Sequence, residues 1–449
     1  MNSSAGIRLG IAWGLALVAG LGWWTLRGES RSSVSRIDTT PLARAIPLDR
    51  VESLIIERAD GRRLDLRRTV LGWEQVEPFP VGLDAYAVRQ IISTAQALGV
   101  VDSITLDGSG DAERLGLDPP VATITYRWPD GEQVIALGNR TLAGRAWARI
   151  GRDADEAVLV DASLHEKTLE NDPRFLRDRT LAPFVGTETN RIFVRTATGT
   201  LALDRTDRGW RLSEPVRTRG DEAAIADWLA RVARTRVSGY LHDAPDRLDR
   251  FGLAEPVALL ELENGDPAGS RTIRIGDPIG VGSEDRYALV EGRPTVVRID
   301  VETQKVLVPS AASLIDGTGT DVVREDVASI EVRRGEETIT LKRDFDGWAG
   351  RVDSGPPQPV DRDAVEQLLG QLTEARAEAV LLREFPESMA HAMVILYGFD
   401  GGPLDTVRIA LDPRGGNWAL ENGDRVLRVF DASFELPLSA VSFGLESGS

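Results

Sequence analysis

The 449-residue chain contains no cysteine, which excludes disulfide staples, thiolate nucleophiles, cysteine-ligated zinc and iron–sulfur clusters. Histidine is almost as scarce. His165, His242 and His391 lie far apart, with neither His-x-x-x-His nor His-x-x-Glu spacing, so no metal site is expected. Lysine is confined to Lys167, Lys305 and Lys342. With 70 acidic against 53 basic residues the net charge is −17, which excludes the basic surface that nucleic acid demands. No Gly-x-Ser-x-Gly elbow and no calcium-binding ladder of acidic residues occurs. No catalytic residue, cofactor or metal is therefore expected. What remains is an ordinary globular composition, 42% apolar and 27% charged, long enough for two to four domains of about 100–200 residues each.

The first distinctive feature is a single long apolar run, Leu9 to Leu26 (LGIAWGLALVAGLGWWTL), bracketed by Arg8 and Arg27. As a helix it would span roughly 27 Å, close to the ~30 Å hydrocarbon core, with Trp23 and Trp24 at the interface. Residues 1–27 read as an N-terminal membrane anchor, with a cleaved signal peptide as the alternative. Arginines on both sides of the run leave its orientation open. The Ser/Arg-rich stretch 28–45 reads as a polar tether.

Beyond it the chain repeats itself three times, with a period of about 138 residues. The first marker is a Gly-Trp pair (Gly72-Trp73, Gly209-Trp210, Gly347-Trp348) after alternating apolar and polar residues, which predicts a β-meander with a tight glycine turn. The second is an amphipathic helix led by an aspartate N-cap at Asp84, Asp221 and Asp361. Its apolar stripes are Val88/Ile91/Ile92/Ala95, Ile225/Trp228/Leu229/Val232 and Val365/Leu368/Leu369/Leu372. The third is ERLGLDPP (113–120) and DRFGLAEP (249–256), each opening a strand pair that ends at Gly138 or Gly276. The third copy reads PESMAHAMVILYGF there and has lost this signature, as a terminal capping repeat does. The predicted fold is α+β: modules at 46–186, 187–318 and 322–445, each of antiparallel hairpins with amphipathic helices, the last degenerate.

The repeat serves as a control on candidate sites, because a feature present in every copy belongs to the scaffold. GDPIGVGSEDR (276–286) suggests a phosphate loop but lacks the Gly-Lys-Ser/Thr ending, and its counterpart GNRTLAGR (138–145) makes it a hairpin connection. The acidic clusters Asp153/Asp155/Glu156, Glu284/Asp285 and Asp344/Asp346 fall in expected turns, where a solvated role outweighs calcium binding or paired-carboxylate catalysis. Trp73, Trp210 and Trp348 could form a carbohydrate-stacking platform, but recurrence favours burial against the following helix.

This train of motifs — Gly-Trp hairpin, Asp-led helix, Gly-Leu-x-x-Pro, strand pair ending in glycine, aromatic hairpin around Trp147, Tyr287 and Trp418 — resembles the bacterial family called domain of unknown function 4340. The resemblance spans Val51 to Ile299 and, more loosely, Val327 to Phe430. It implies one N-terminal span and an extracytoplasmic body, in proteins often encoded beside ABC-type permeases. It carries no catalytic residues over. The expectation is a non-catalytic accessory or scaffold protein of the cytoplasmic (inner) membrane, anchored through residues 9–26, its body periplasmic and its partners the proteins of a transport complex. The alternatives are an envelope enzyme acting on glycan and a ligand-binding module with its pocket between repeats.

Overall fold

The computed structural model describes residues 46–446 apart from 71, 107–108, 266–269 and 413–415. The expected anchor and tether lie outside these residues. Among the described residues no helix is long and apolar enough to cross a membrane. The chain divides into two compact units between Asp178 and Arg179.

The first unit holds β1 (Ser53–Arg58), β2 (Arg63–Thr69), β3 (Gly72–Glu77), β4 (Val81–Leu83), β5 (Val100–Thr105), β6 (Ala122–Trp128), β7 (Gly131–Arg140), β8 (Arg145–Ile150) and β9 (Glu156–Asp161). They form one sheet in the order β4-β3-β2-β1-β6-β7-β8-β9-β5, every pair antiparallel. The second unit repeats that order twice. Its first sheet uses β10 (Thr189–Thr196), β11 (Gly199–Thr206), β12 (Gly209–Glu214), β13 (Thr218–Arg219), β14 (Gly239–Asp243), β15 (Ala258–Asn264), β16 (Arg271–Pro278), β17 (Arg286–Val290) and β18 (Thr295–Ile299). Its second uses β19 (Ser329–Arg334), β20 (Glu337–Asp344), β21 (Gly347–Val352), β22 (Gln358–Pro359), β23 (Ala379–Leu382), β24 (Ala390–Tyr397), β25 (Pro403–Leu411), β26 (Trp418–Glu421) and β27 (Val426–Phe430). Register repeats as well: Leu54 faces Leu66, Ile192 faces Leu203, and Ile330 faces Leu341. The third copy, expected to be degenerate, keeps all nine strands.

In each module one helix leaves the short edge strand and the next strand lands on the opposite edge, so the helix crosses one face of the sheet. These helices are α1 (Ala85–Gln96), α2 (Glu222–Ala233) and α3 (Arg362–Thr373). Asp84, Asp221 and Asp361 cap them, each carboxylate accepting first-turn amides that the helix leaves orphaned. All twelve predicted stripe residues are buried. The turn glycines Gly72, Gly209 and Gly347 have φ of 129°, 92° and 142°, a region that a side chain would strain.

After the last strand the chain returns to the cap: the Asp84, Asp221 and Asp361 amides donate to the carbonyls of Leu176, Leu314 and Phe443 at 2.8, 2.9 and 2.9 Å. This closure completes the first module before residue 179. Leu181, Ala182 and Val185, assigned from sequence to the first module, are buried in the second module's core, where Leu181 donates to the carbonyl of Thr235. An apolar run between modules does not by its sequence say which core receives it.

The face away from the helix explains the Gly-Leu signature. In the first module Leu115 and Leu117 seal a small cluster with Ala136 and Ala157, and in the second Phe251 and Leu253 do so with Val296. A Cβ on Gly138 would collide with the carbonyl of Leu115, and one on Gly276 with that of Phe251. These glycines let a loop cross directly over a strand. The third module puts Ala410 at that position, and the segment entering its β24 is a short turn of 3-10 helix, Glu387–Met389, without the Gly-Leu pair.

Candidate functional site

Most of the expected turn residues lie in hairpin connections, with Glu156 opening β9 and Asp344 closing β20. Residues 279–285 form a hairpin connection closed by the Ile279 amide on the Asp285 carbonyl, matching Thr141 on Arg145 in the first module. Asp153, Asp155, Glu156, Glu284, Asp344 and Asp346 are exposed, and Asp285 is engaged by Arg298 at 2.6 Å. Among the described residues no group of histidines and carboxylates could hold a metal ion. The histidines are scattered: His242 packs on Phe251, His391 on Trp418, and His165 is buried with Nε2 3.0 Å from the Gly138 carbonyl. Burial holds the His165 imidazole below its ordinary pKa range.

The repeated tryptophans are not equivalent, contrary to the expectation of three buried rings. Trp210 is 4% exposed and shares a groove of about 240 Å³ with Ala226 and Leu229 of α2. Trp73 and Trp348 are half-buried, each packed against its module's core, with the Arg343 guanidinium 5.1 Å over the Trp348 ring. The pairing register does not distinguish them, because each lies opposite an arginine: Arg68, Arg205 or Arg343. What differs is local packing: Gly220, just after β13, comes close against the Trp210 Cβ, whereas one face of the Trp348 ring carries the Arg343 guanidinium.

The densest buried chemistry was invisible in the sequence and lies between the second and third modules, inside one compact unit. Arg428 on β27 is fully buried. Its Nη2 donates to Asp424 Oδ2 at 2.8 Å and Thr218 Oγ1 at 3.2 Å, and its Nε donates to the Asp316 carbonyl at 2.9 Å. Nη1 is shared among Asn422, Asp424 and the Val426 carbonyl. Thr218 on β13 donates to the same Asp424 oxygen, so a second-module hydroxyl, a third-module carboxylate and a third-module guanidinium close one ring. Beside it Arg219, 6% exposed, donates to the Thr318 carbonyl at 2.7 Å and stands 3.6 and 3.5 Å from Asp316 and Asp321. Burial pushes the Arg219 guanidinium down, and Asp316 opposes that shift. Arg376 reaches back to the Asp221 cap of α2. Burial resists ionisation of that carboxyl, but the Ala224 amide and the Arg376 guanidinium outweigh it and hold it below the usual range. Val426 joins the second module's apolar core, so the junction is both ionic and apolar.

Chemically this cluster has its charges turned on one another. It offers no cleft flanked by two carboxyls, and the one hydroxyl beside a carboxylate in it, Thr218 on Asp424, is buried against the Arg428 guanidinium. Its arrangement suits the fastening of one module to the next.

Comparison with known proteins gives one informative match. No curated protein matches the chain. Among solved structures, a DNA polymerase sliding clamp from Pseudomonas aeruginosa is similar at 8% identity over 86% of this chain and 92% of that one, with a TM-score of 0.15. A putative DNA polymerase III beta subunit from Eubacterium rectale (8% identity, 83% and 89% covered) also has a TM-score of 0.15, and a beta subunit from Thermotoga maritima (8%, 88% and 92%) has 0.12. Scores that low carry no argument about fold or function. The family match is of another kind: it covers residues 73–246 and 210–393, both segments starting at a repeat tryptophan. The chain belongs to the family described as domain of unknown function (DUF4340).

Proposed function

We propose that the chain is a non-catalytic scaffold of three like modules, anchored in the inner membrane through residues 9–26 with its body outside the cytoplasm, and an accessory subunit of an ABC-type transport or envelope complex. The observation that carries this reading is what recurs. Asp84/Asp221/Asp361 are caps, Gly72/Gly209/Gly347 are turn residues and the helix stripes are core. These recurrent positions all serve the fold, as features shared by every copy are expected to. The Arg428 ring supports the same reading, since it holds two modules in a fixed arrangement. Arrays of this kind present extended surfaces and edge strands to protein partners. The run Leu9–Leu26 supports the anchor, and the family resemblance supports the transport association.

Affinity capture from detergent-solubilised membranes through a C-terminal tag tests the association. Recovery of an ATPase and a permease is expected, and repeated capture with neither overturns it. A phosphatase reporter fused after Ser449 should be active; activity of a cytoplasm-dependent reporter instead would end the envelope assignment.

A further inference from the structure

Three copies of one fold let each side chain be read against two counterparts. Counted from the cap aspartate, Ile91 of the first module stands where the second has Trp228 and the third Leu368; Tyr86 stands where they have Ala223 and Asp363. Counted from the residue whose carbonyl receives the cap amide, Phe175 stands at the positions of Ser313 and Ser442. Counted from the aspartate at the end of the last strand (Asp161, Asp300, Asp431), Lys167 stands at those of Val306 and Pro437.

In the second module the space between helix and closing segment is filled. Trp228 is 1% exposed, and its indole N–H donates to the Val306 carbonyl at 2.7 Å. In the first module the smaller Ile91 leaves a groove of about 280 Å³ between α1 and residues 167–176, floored by Ile56, Leu64 and Leu176. Tyr86 and Phe175 line it while remaining 70% and 64% exposed. Lys167 also lines it. Its ammonium donates to the neutral amide of Gln90 at 3.3 Å and, among the described residues, forms no ion pair. The one carboxylate on the wall, Asp172, accepts the Arg174 amide at 2.9 Å. Three positions at which the first module departs from both others, Tyr86, Phe175 and Lys167, thus meet Ile91, which lacks the bulk of Trp228, at one concavity. They open it, border it with aromatic surface and give it one cation.

We propose that this groove binds a single-chain carboxylate amphiphile of the medium-chain fatty acid class. The apolar chain lies between α1 and residues 167–176, flanked by Tyr86 and Phe175, and the carboxylate takes the Lys167 ammonium from Gln90 as a charge-assisted hydrogen bond. The size falls just below the range of drug-sized pockets, about 300–1,000 Å³, which suits one acyl chain and excludes a two-chain lipid. The assignment is independent of the scaffold reading.

Equilibrium dialysis of radiolabelled dodecanoate against the full-length chain tests it. One saturable equivalent per chain is expected. Ile91→Trp, which imports the second module's side chain, should weaken binding about tenfold or more with the far-ultraviolet spectrum unchanged. The surface pair Tyr86→Ala/Phe175→Ser provides the same readout should Ile91→Trp disturb folding, with a loss of about fivefold. Lys167→Val should weaken dodecanoate about five- to tenfold while leaving dodecan-1-ol unaffected. Uptake that does not saturate, or that none of these variants alters, overturns the site. Equal loss of acid and alcohol on Lys167→Val overturns the role given to the ammonium.

Discussion

The second and third modules have the same nine strands in the same order, yet they treat one strand position in opposite ways. Three residues before the aspartate that ends the last strand, the first and second modules carry the buried valines Val158 and Val297, and the third carries Arg428 with no exposed surface. A sheet that accepts valine twice does not need arginine for its own stability. The third module uses the position to reach Thr218 and the Asp316 carbonyl of the second. On the other face the exchange is reversed: the second module keeps Gly276 for a loop crossing, and the third fills the place with Ala410. The lesson is that a repeat can keep its topology while reassigning individual positions from packing to docking.

The strongest test of this contrast is Arg428→Ala. It strands Asp424 in the junction without its partner, and breaking a buried pair in this way costs about 3–5 kcal/mol. Denaturant unfolding of the second unit should separate into two transitions. Arg428→Val combined with Asp424→Val removes both charges and should recover most of the loss. If the single variant unfolds as wild type does, the ring is not a fastener.

The tryptophans rank next. Trp210→Ala should cost about 3–5 kcal/mol, as for other buried aromatic truncations, and Trp73→Ala, at a half-buried position, about half as much. Equal losses by thermal or chemical denaturation would erase the difference between the modules.

A smaller effect is expected at the crossing. Gly276→Ala sets a methyl against the Phe251 carbonyl and should cost about 1–3 kcal/mol, the range of overpacked cores, whereas the third module carries that methyl natively at Ala410 and its Ala410→Gly variant relieves no such clash. Tyr126→Phe should go the other way. Tyr126 faces Leu54 where Leu262 faces Ile192 and Leu396 faces Ile330, and its buried hydroxyl has no hydrogen-bond partner. Removing that hydroxyl should stabilise the first module by about 1 kcal/mol, read as a higher unfolding midpoint.

Local features were legible because local rules produce them. Cap aspartates, turn glycines and apolar stripes depend on neighbours within a helical turn or a hairpin, and each appears at the residue the pattern names. The strand order was not legible, since nothing in VVDSIT or AVLL says that these strands join the far edge. The junction was hidden for a plainer reason: Arg428 sits in VLRVF, where alternation reads it as a solvent-facing residue, and its partners lie up to 210 positions away. The first-module groove required comparison of side-chain volumes across copies, and the hydrophobic pattern treats Ile91, Trp228 and Leu368 alike.

His165 gives the finest test, because it joins the closing segment to the crossing glycine. Its Nε2 is bonded to the Gly138 carbonyl, and its buried Nδ1 has no partner, so the folded module holds the ring neutral. Burial lowers its pKa in the folded state relative to the unfolded chain, where a histidine titrates near 6.5. The unfolded state therefore binds more protons as the pH falls below that value. The resulting stability is present above about pH 6.5 and is lost progressively as the pH falls toward and through the folded-state pKa. The unfolding midpoint of the first module should drop between pH 7.5 and 5, and His165→Gln, which keeps a donor for Gly138, should flatten that slope whatever its effect at neutral pH. An unchanged slope would mean that other groups supply the pH dependence and that protonation of His165 is accommodated at Nδ1; the two relatives, with Gln304 and Glu435 at the equivalent position, have no histidine there to contribute it.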